Sequence, residues 1–219
     1  MRLYLQVTRN NKLIPFNYQS YLTGAIHKWL GRNEHHGALS LYSFSWFENA
    51  TLKNNSGIML NDNSFFFISA FEENLIKQII NGILKDPSLC FGSEVAEIQI
   101  SNTPDFSSKE MFFTGSPVFI KRRFDNKEKH ITYDDTQCND YLTETLQKKL
   151  KAAYLPFENI KVSFDTSYSL RKTKVIKYKE ISNRVNICPV IIEGSPEQIA
   201  FAWNVGIGNS TGIGFGAIK

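Results

Sequence analysis

The stretch SEVAEIQIS, at residues 93–101, alternates apolar and polar side chains and therefore predicts a β-strand. It closes a series of elements that begins with RLYLQVT, at residues 2–8, which alternates in the same way. Helical spacing of apolar residues predicts one helix shortly after the first strand and another over residues 72–84. Two strands are predicted between the helices. The order β-α-β-β-α-β is that of a ferredoxin-like domain.

Local signals set the predicted bounds of these elements. Asn17 is a plausible N-cap of the first helix, and Gly31 is a plausible stop for it. LSLYSFSWF, at residues 39–47, predicts the second strand. Residues 57–71 contain two apolar runs around an Asn-Asp-Asn turn, which predicts a hairpin.

The second half repeats this order with less certain bounds. Residues 139–153 have helical periodicity after a candidate N-cap at Asn139, and residues 196–203 form a predicted helix capped by Ser195. GFGAI, at residues 214–218, predicts a final strand. The predicted fold class is α+β, with tandem ferredoxin-like (RRM-like) domains at residues 1–113 and 114–219. We expect the second domain to be less regular, and the two to pack side by side because no Gly/Ser linker separates them.

The composition excludes several classes of protein. Of the 219 residues, 42% are hydrophobic, which is enough for a core, and the net charge of +4 alone names no partner. The three cysteines are far apart, which makes a structural zinc site improbable. No apolar run reaches the length of a membrane span or of a signal sequence. We therefore expect a cytoplasmic protein with no membrane partner and no cofactor.

The most distinctive local signal is the glycine-rich tail, GIGNSTGIGFGAIK, at residues 206–219. Glycines at this density allow positive φ angles and let backbone N–H groups converge on an anion. The tail follows a helix and contains no Gly-Lys-Ser/Thr, so it is not a nucleotide-binding P-loop. A backbone-built phosphate-binding loop and a bulged hairpin without a ligand are both consistent with it. The candidate RNA-binding glycines are Gly206, Gly208, Gly212, Gly214 and Gly216.

Basic residues interleaved with apolar ones form a second signal, typical of a surface that binds a phosphate backbone. A solvated hairpin would show the same pattern. The candidate RNA-binding residues fall in two clusters, which are Lys121, Arg122 and Arg123, and then Arg171, Lys172, Lys174, Lys177 and Lys179.

Histidines are the candidate acid–base residues. Of the four histidines, three lie within ten positions, with His27 on the first predicted helix and His35 and His36 in the loop after it. A loop histidine titrates near neutral pH and could remove a proton from an RNA 2′-hydroxyl or give one to a leaving 5′-oxygen. An ordinary polar loop is the alternative. The aspartates form no cluster typical of a magnesium-dependent nuclease, so no metal site is predicted.

Taken together, these motifs resemble the CRISPR-associated endoribonuclease of the sixth Cas family, the repeat-processing enzyme of the RAMP superfamily. The resemblance covers nearly the whole chain. It includes IPFNYQSYLTGAIHKWLG (14–31), HHGALSLYSFSWF (35–47) and SPVFIKRR (116–123). The most specific part is the tail, whose G-x-G-x-x-x-x-x-G-F-G spacing is similar to the family's C-terminal signature.

The resemblance implies a reaction and partners. Such enzymes cut the repeat of a precursor CRISPR RNA without metal, through attack by the 2′-hydroxyl, leaving a 2′,3′-cyclic phosphate and a 5′-hydroxyl. The implied partners are repeat RNA, a second copy in a homodimer, and subunits of a CRISPR effector complex. The alternative is a non-catalytic RAMP-type subunit that holds crRNA in such a complex.

The implied catalytic residues carry over unevenly. The family's usual histidine falls on His36, which directly precedes Gly37, or on His35, and a contributing position on the first helix falls on His27. Ser40 stands where a lysine often completes the site, which leaves Lys28 and Lys53 as substitutes. By resemblance, the tail supports the RNA-binding surface and packs the two domains together.

Overall fold

The structure is a computed structural model that describes residues 1–31, 39–53 and 56–219. Its first half contains two helices and six strands within those residues. In chain order they are β1 (Arg2–Val7), α1 (Gln19–Leu30), β2 (Tyr42–Phe44), β3 (Thr51–Lys53), β4 (Gly57–Met59), β5 (Phe65–Ala70), α2 (Glu73–Lys85) and β6 (Val95–Ser101).

Four of these strands form an antiparallel sheet in the order β2-β5-β1-β6. The helices α1 and α2 pack against each other, and their apolar faces join one core with the inward side chains of the sheet, such as Leu3, Leu5 and Ile68. Alternation in the strands and helical periodicity in α1 and α2 thus meet on one side of the sheet. The predicted ferredoxin-like order of the first half is confirmed.

The predicted hairpin over residues 57–71 is wrong. The strand β4 pairs with β3, and Ile14 bridges to Ile58 on its other side, whereas β5 pairs with β1 and β2 inside the main sheet. Gly57 lies against the Ile14 backbone so closely that a side chain would overlap it. This close approach explains why β4 belongs to a separate small ladder.

The second half contains two helices, a 3₁₀ turn and seven strands within the described residues. They are β7 (Lys109–Phe112), β8 (Lys121–Phe124), β9 (Lys127–His130), α3 (Cys138–Ala152), β10 (Lys161–Phe164), β11 (Lys172–Tyr178), β12 (Ile181–Ile187), β13 (Val190–Glu193), α4 (Pro196–Val205) and the 3₁₀ turn Thr211–Ile213. The first of them, β7, lies ahead of residue 114, the predicted start of the second domain.

The second sheet has the order β10-β13-β7, and α3 and α4 share a core with it. The predicted final strand at residues 214–218 is not a regular strand. Instead, the chain end runs antiparallel to residues 113–115 through backbone bonds between Phe113 and Lys219 and from Gly115 to Ala217. The repeated ferredoxin-like order, less regular in the second half, agrees with the prediction. Two hairpins, β8–β9 and β11–β12, are inserted into it.

The helix ends show which of the predicted capping residues are used in the structure. Ser195 caps α4 in a capping box with Gln198, and Gly31 ends α1 with φ 67°, as predicted. The predictions for Asn17 and Asn139 are wrong. The helix α1 begins after Tyr18, whose ring packs in the core. The helix α3 begins at Cys138, so Asn139 lies inside it and accepts a hydrogen bond from the Phe164 N–H.

Arg2 joins the two halves. Its buried guanidinium lies between the rings of Phe67 and Trp203, at 3.9 Å and 3.5 Å from their centroids. It also donates to the carbonyls of Trp203 and Ile218. Burial lowers the pKa of Arg2 to about 10, which leaves the side chain charged at neutral pH. In residues 1–31, 39–53 and 56–219, no helix is long and apolar enough to cross a membrane.

Candidate functional site

The glycine-rich tail is buried where the two halves meet. A side chain at Gly206 would meet Ser43, and one at Gly214 would meet Phe44, both on β2. A side chain at Gly208 would meet the Phe119 carbonyl in the second half. Four of the five glycines, all except Gly212, have φ between 68° and 87°, which favours glycine. These contacts confirm that the tail packs the halves together, whereas its contact with phosphate stays a prediction.

A polar stripe on the otherwise apolar inner face of α1 meets this tail. Gln19, Thr23 and His27 recur every four residues and therefore lie on one side of the helix. The Gln19 amide donates to the Ile213 carbonyl at 2.6 Å, and the Thr23 hydroxyl lies 3.4 Å from the same oxygen. His27 thus stands at the end of a row that is anchored on the tail.

Tyr42, on β2, connects His27 to the tail. Its hydroxyl donates to the Gly212 carbonyl at 3.1 Å and lies 3.3 Å from His27 Nε2. Burial raises the pKa of Tyr42 to about 12, so the phenol keeps its proton at neutral pH. Tyr42 thus joins the His27 ring to the backbone of the tail.

The hairpin β11–β12 reaches the same place from the second half. Ile176 and Val185 pack with Phe119 and with Phe215 of the tail. Tyr178 follows two residues after Ile176 and lies on the same face of β11. Burial raises the pKa of Tyr178, while a hydrogen bond with Thr23 acts in the opposite direction. The hairpin therefore packs on the same tail whose Gly212 carbonyl accepts from Tyr42.

The other predicted catalytic residues lie elsewhere or outside the described residues. His35 and His36 belong to residues 32–38, which the structure does not describe. Lys28 forms an ion pair with Asp86 at 2.8 Å and also donates to Ser88. Lys53 is exposed on the small β3–β4 ladder. The structure therefore brings neither lysine to the contact between His27 and Tyr42.

The predicted RNA-binding side chains differ in their surroundings. Arg122 is held against α3, where it donates to the Tyr141 carbonyl and to Glu144 and lies over the Tyr141 ring. Lys121 pairs with Glu128 at 3.0 Å and Lys177 with Glu180 at 3.1 Å. Arg171 donates to the Tyr168 carbonyl. Among the predicted RNA-binding residues, those with exposed side chains are Arg123, Arg171, Lys172, Lys174, Lys177 and Lys179.

Lys149 is a buried cation beneath the start of the tail. Its ammonium donates to the carbonyls of Val205 and Gly206 and to the Thr211 hydroxyl, at 3.0–3.1 Å. Burial lowers the pKa of Lys149 to about 7. The lysine thus satisfies the carbonyls at the end of α4 and fixes Thr211, the residue before Gly212. Within the described parts of the chain, no three His, Cys, Asp or Glu side chains are grouped to hold a metal ion.

A match to a protein-family model identifies the family of this chain. The model described as "CRISPR associated protein Cas6, C-terminal" matches residues 101–219, more than half of the chain. The chain belongs to the Cas6 family. The matched region includes the tail, both inserted hairpins and the second sheet.

Curated relatives extend the similarity to the first half. The CRISPR-associated endoribonuclease Cas6 1 of Methanocaldococcus jannaschii is 24% identical over 238 residues, which cover all of this chain and 92% of the relative. An endoribonuclease-like Cas6 protein of Pyrococcus furiosus is 25% identical and covers 96% of this chain and 94% of its own length. This Cas6 chain is therefore similar to its relatives over their whole fold.

Solved structures show the same architecture. A Cas6-related protein from Pyrococcus furiosus superposes with a TM-score of 0.86 at 24% identity, covering all of this chain and 97% of that one. A RAMP protein described as binding different RNA substrates superposes with a TM-score of 0.83 at 20% identity, covering 100% and 98%. At these sequence identities, the similarity shows only that the folds are alike. That shared fold agrees with the predicted tandem ferredoxin-like arrangement.

Sequence reasoning missed Tyr42 as a neighbour of His27. Tyr42 lies in a segment that the sequence predicts only as a strand, and its contact with Gly212 spans 170 positions. One signal could have pointed toward it. The polar residues Gln19, Thr23 and His27 interrupt the buried face of an amphipathic helix at a regular spacing, which indicates a polar partner for that face.

Proposed function

We propose that the chain is a metal-independent endoribonuclease that cuts CRISPR repeat RNA within precursor crRNA. The observation that supports it most is the junction at His27. There an acid–base side chain in contact with Tyr42 lies where the first helix meets the family's glycine-rich tail. Membership of the Cas6 family and the name of the Methanocaldococcus relative agree with this activity.

In the proposed reaction, a base removes the proton of the 2′-hydroxyl as its oxygen attacks the adjacent phosphorus. The bond from phosphorus to the 5′-oxygen breaks, and an acid protonates that oxygen, which leaves a 2′,3′-cyclic phosphate and a 5′-hydroxyl. We assign one of these roles to His36, with His35 as its alternative, and the other to His27. A cation is needed beside the phosphate, because negative charge accumulates on it in the transition state.

Cleavage in a chelator tests the function. We expect the protein to cut labelled cognate repeat RNA in EDTA and to leave a 2′,3′-cyclic phosphate, because the nucleophile is supplied by the RNA. A repeat with a 2′-deoxy nucleotide at the cut should bind equally well and stay intact. Tight binding without any cleavage of the all-ribose repeat would instead support a non-catalytic RAMP-type subunit. The serine at position 40, where relatives often have a lysine, keeps that alternative open.

The exposed lysines of β11 should contribute salt-dependent affinity. A variant with Lys172, Lys174 and Lys177 changed to alanine should show a slope of log affinity against log salt that is flatter by about 2, because three phosphate contacts with single-stranded RNA are lost. The control removes three exposed lysines away from the hairpins, at positions 77, 148 and 161. Equal slopes for both variants would show that the lysines of the hairpin do not contact the RNA backbone.

The proposal also covers the location and partners of the protein. We propose that it acts in the cytoplasm and that its principal partner is repeat RNA. A homodimer and association with subunits of a CRISPR effector complex, which the resemblance allows, stay predictions.

A further inference from the structure

We infer that Lys149, on α3 in the second half of the chain, positions His27 for cleavage through the glycine-rich tail. The route runs from Lys149 to the 3₁₀ turn Thr211–Ile213, and from that turn through Tyr42 to His27. This inference rests on the proposed function, in which His27 is an acid–base residue. Because Lys149 is buried away from RNA and acts through other residues, it is a positioning residue.

Lys149 is a charged residue on the buried face of α3, where most of the other side chains are apolar. Leu142, Leu146 and Leu150 on this face pack in the second core, and Lys149 is only 2% exposed. Its three hydrogen-bond partners are uncharged oxygens, which offset only part of the cost of burying an ammonium. A methionine of similar length would fill the space without that cost, which indicates that the ammonium has a role beyond packing.

Two of the three hydrogen bonds of Lys149 satisfy the end of α4, and the third reaches beyond it. The carbonyls of Val205 and Gly206 lie where α4 ends, and a cation there satisfies acceptors that have no partner within the helix. The third bond goes to the Thr211 hydroxyl at 3.1 Å, several residues further along the tail. Lys149 therefore fixes the beginning of the 3₁₀ turn as well as the end of α4.

The other two residues of this turn bond to the first half of the chain. The Gly212 carbonyl accepts from Tyr42 at 3.1 Å, and the Ile213 carbonyl accepts from Gln19 of α1 at 2.6 Å. The backbone at Gly212 lies so close to the first half that an added side chain would overlap Ser40 and meet the Tyr42 hydroxyl. A shift of the turn would therefore move the oxygen to which Tyr42 bonds.

Tyr42 connects the position of the turn to His27. Its hydroxyl lies 3.3 Å from His27 Nε2 while it bonds to the Gly212 carbonyl. Tyr42 is 5% exposed and packs in the first core, so its ring cannot follow a displaced acceptor freely. A shift of the turn would therefore weaken one of the two contacts of the hydroxyl. Misplacing a reacting group by about 1 Å can cost about 10²-fold in rate.

A double-mutant cycle tests the route, with single-turnover cleavage of repeat RNA measured at saturating protein. We expect Thr211→Val, which removes the hydroxyl and keeps the shape, to slow cleavage about 10-fold. Tyr42→Phe should slow it about 10–100-fold, and neither change should alter RNA affinity. The double variant should be no slower than Tyr42→Phe alone, because both changes interrupt one route. Losses that multiply would show that the two residues act separately, which overturns the inference.

Lys149→Met tests the buried ammonium itself. Where this variant folds, as judged by circular dichroism, it should cut no faster than Thr211→Val, and where it does not fold, the cycle with Thr211→Val decides alone. The NMR signals of the His27 ring, recorded without RNA, give a readout that stability alone does not move. They should shift in Thr211→Val and in Lys149→Met, while those of His130, which bonds to Glu128 on an inserted hairpin, should stay in place.

Thr143→Val is the matched control, because the Thr143 hydroxyl on α3 also bonds to backbone, at Val162 of β10. We expect it to cut at the wild-type rate and to leave the His27 signals unchanged. The inference is overturned if Thr211→Val or Tyr42→Phe cuts as fast as wild type, if Thr143→Val is equally slow, or if the His27 signals do not move. A wild-type protein that binds the repeat without cutting it overturns the proposed function, whereas the His27 signals still report whether Thr211 positions the ring.

Discussion

Replacing Gly216 with alanine is expected to lower the free energy of unfolding by more than about 4 kcal/mol, or to prevent folding altogether. Gly216 has φ 68°, and a side chain there would overlap the carbonyl oxygen of Ile207. That carbonyl cannot retreat freely, because the Ile207 N–H donates to the Gly216 carbonyl at 2.9 Å and the Gly216 N–H donates to Pro117. Hydrogen bonds to Ile207 and to Pro117 thus fix the backbone at the position where the methyl group would be added.

Urea unfolding followed by circular dichroism measures this effect, with Gly24→Ala as the control. Gly24 lies in α1, where an added methyl group would have no other atom within 4 Å. Alanine there should raise the free energy of unfolding by about 0.5–1 kcal/mol, because glycine is a poor helix residue. A Gly216→Ala protein less than about 1 kcal/mol weaker than wild type would contradict the packing of the tail described above.

The contrast between these two glycines shows what the sequence could predict. The spacing of glycines in the tail pointed to a family and to a backbone of unusual conformation. It could not show that the glycines at 206 and 216 lie against each other, with Ser43 of β2 also against Gly206. The tail's contacts with β2 link residues more than 150 positions apart, and local patterns carry no information about such distances.

The same limit applies to the strands and the site. Alternation correctly predicted β1 and β6, because each strand's own pattern is set by the sheet face it covers. The predicted pairing of β4 with the following strand was wrong, because two apolar runs around a turn-forming sequence do not specify which strands pair. The sequence identified His27 as a candidate only because histidine suits acid–base catalysis of RNA cleavage. Its contact with Tyr42, and through Tyr42 with Gly212, exists only in the folded chain.

Replacing His36 with alanine should slow cleavage of repeat RNA at least about 10³-fold while leaving RNA affinity nearly intact. Removal of a general acid or base costs about 10²–10⁴-fold in rate. His27→Ala should also slow cleavage, by about 10²-fold, because Tyr42 would then orient no imidazole. Single-turnover rates and equilibrium binding, measured on the same RNA, separate the two effects.

The pH dependence of the cleavage rate tests the roles of His36 and His27 separately. With one histidine as base and the other as acid, the wild-type rate should pass through a maximum, and each single substitution should remove one limb of the profile. His130→Gln is the control, since His130 bonds to Glu128 and to the Arg184 N–H on the inserted hairpins. It should leave both limbs in place. If His36→Ala cuts normally and His27→Ala does not, the principal histidine is the one that Tyr42 holds on α1, and the loop histidines have another role.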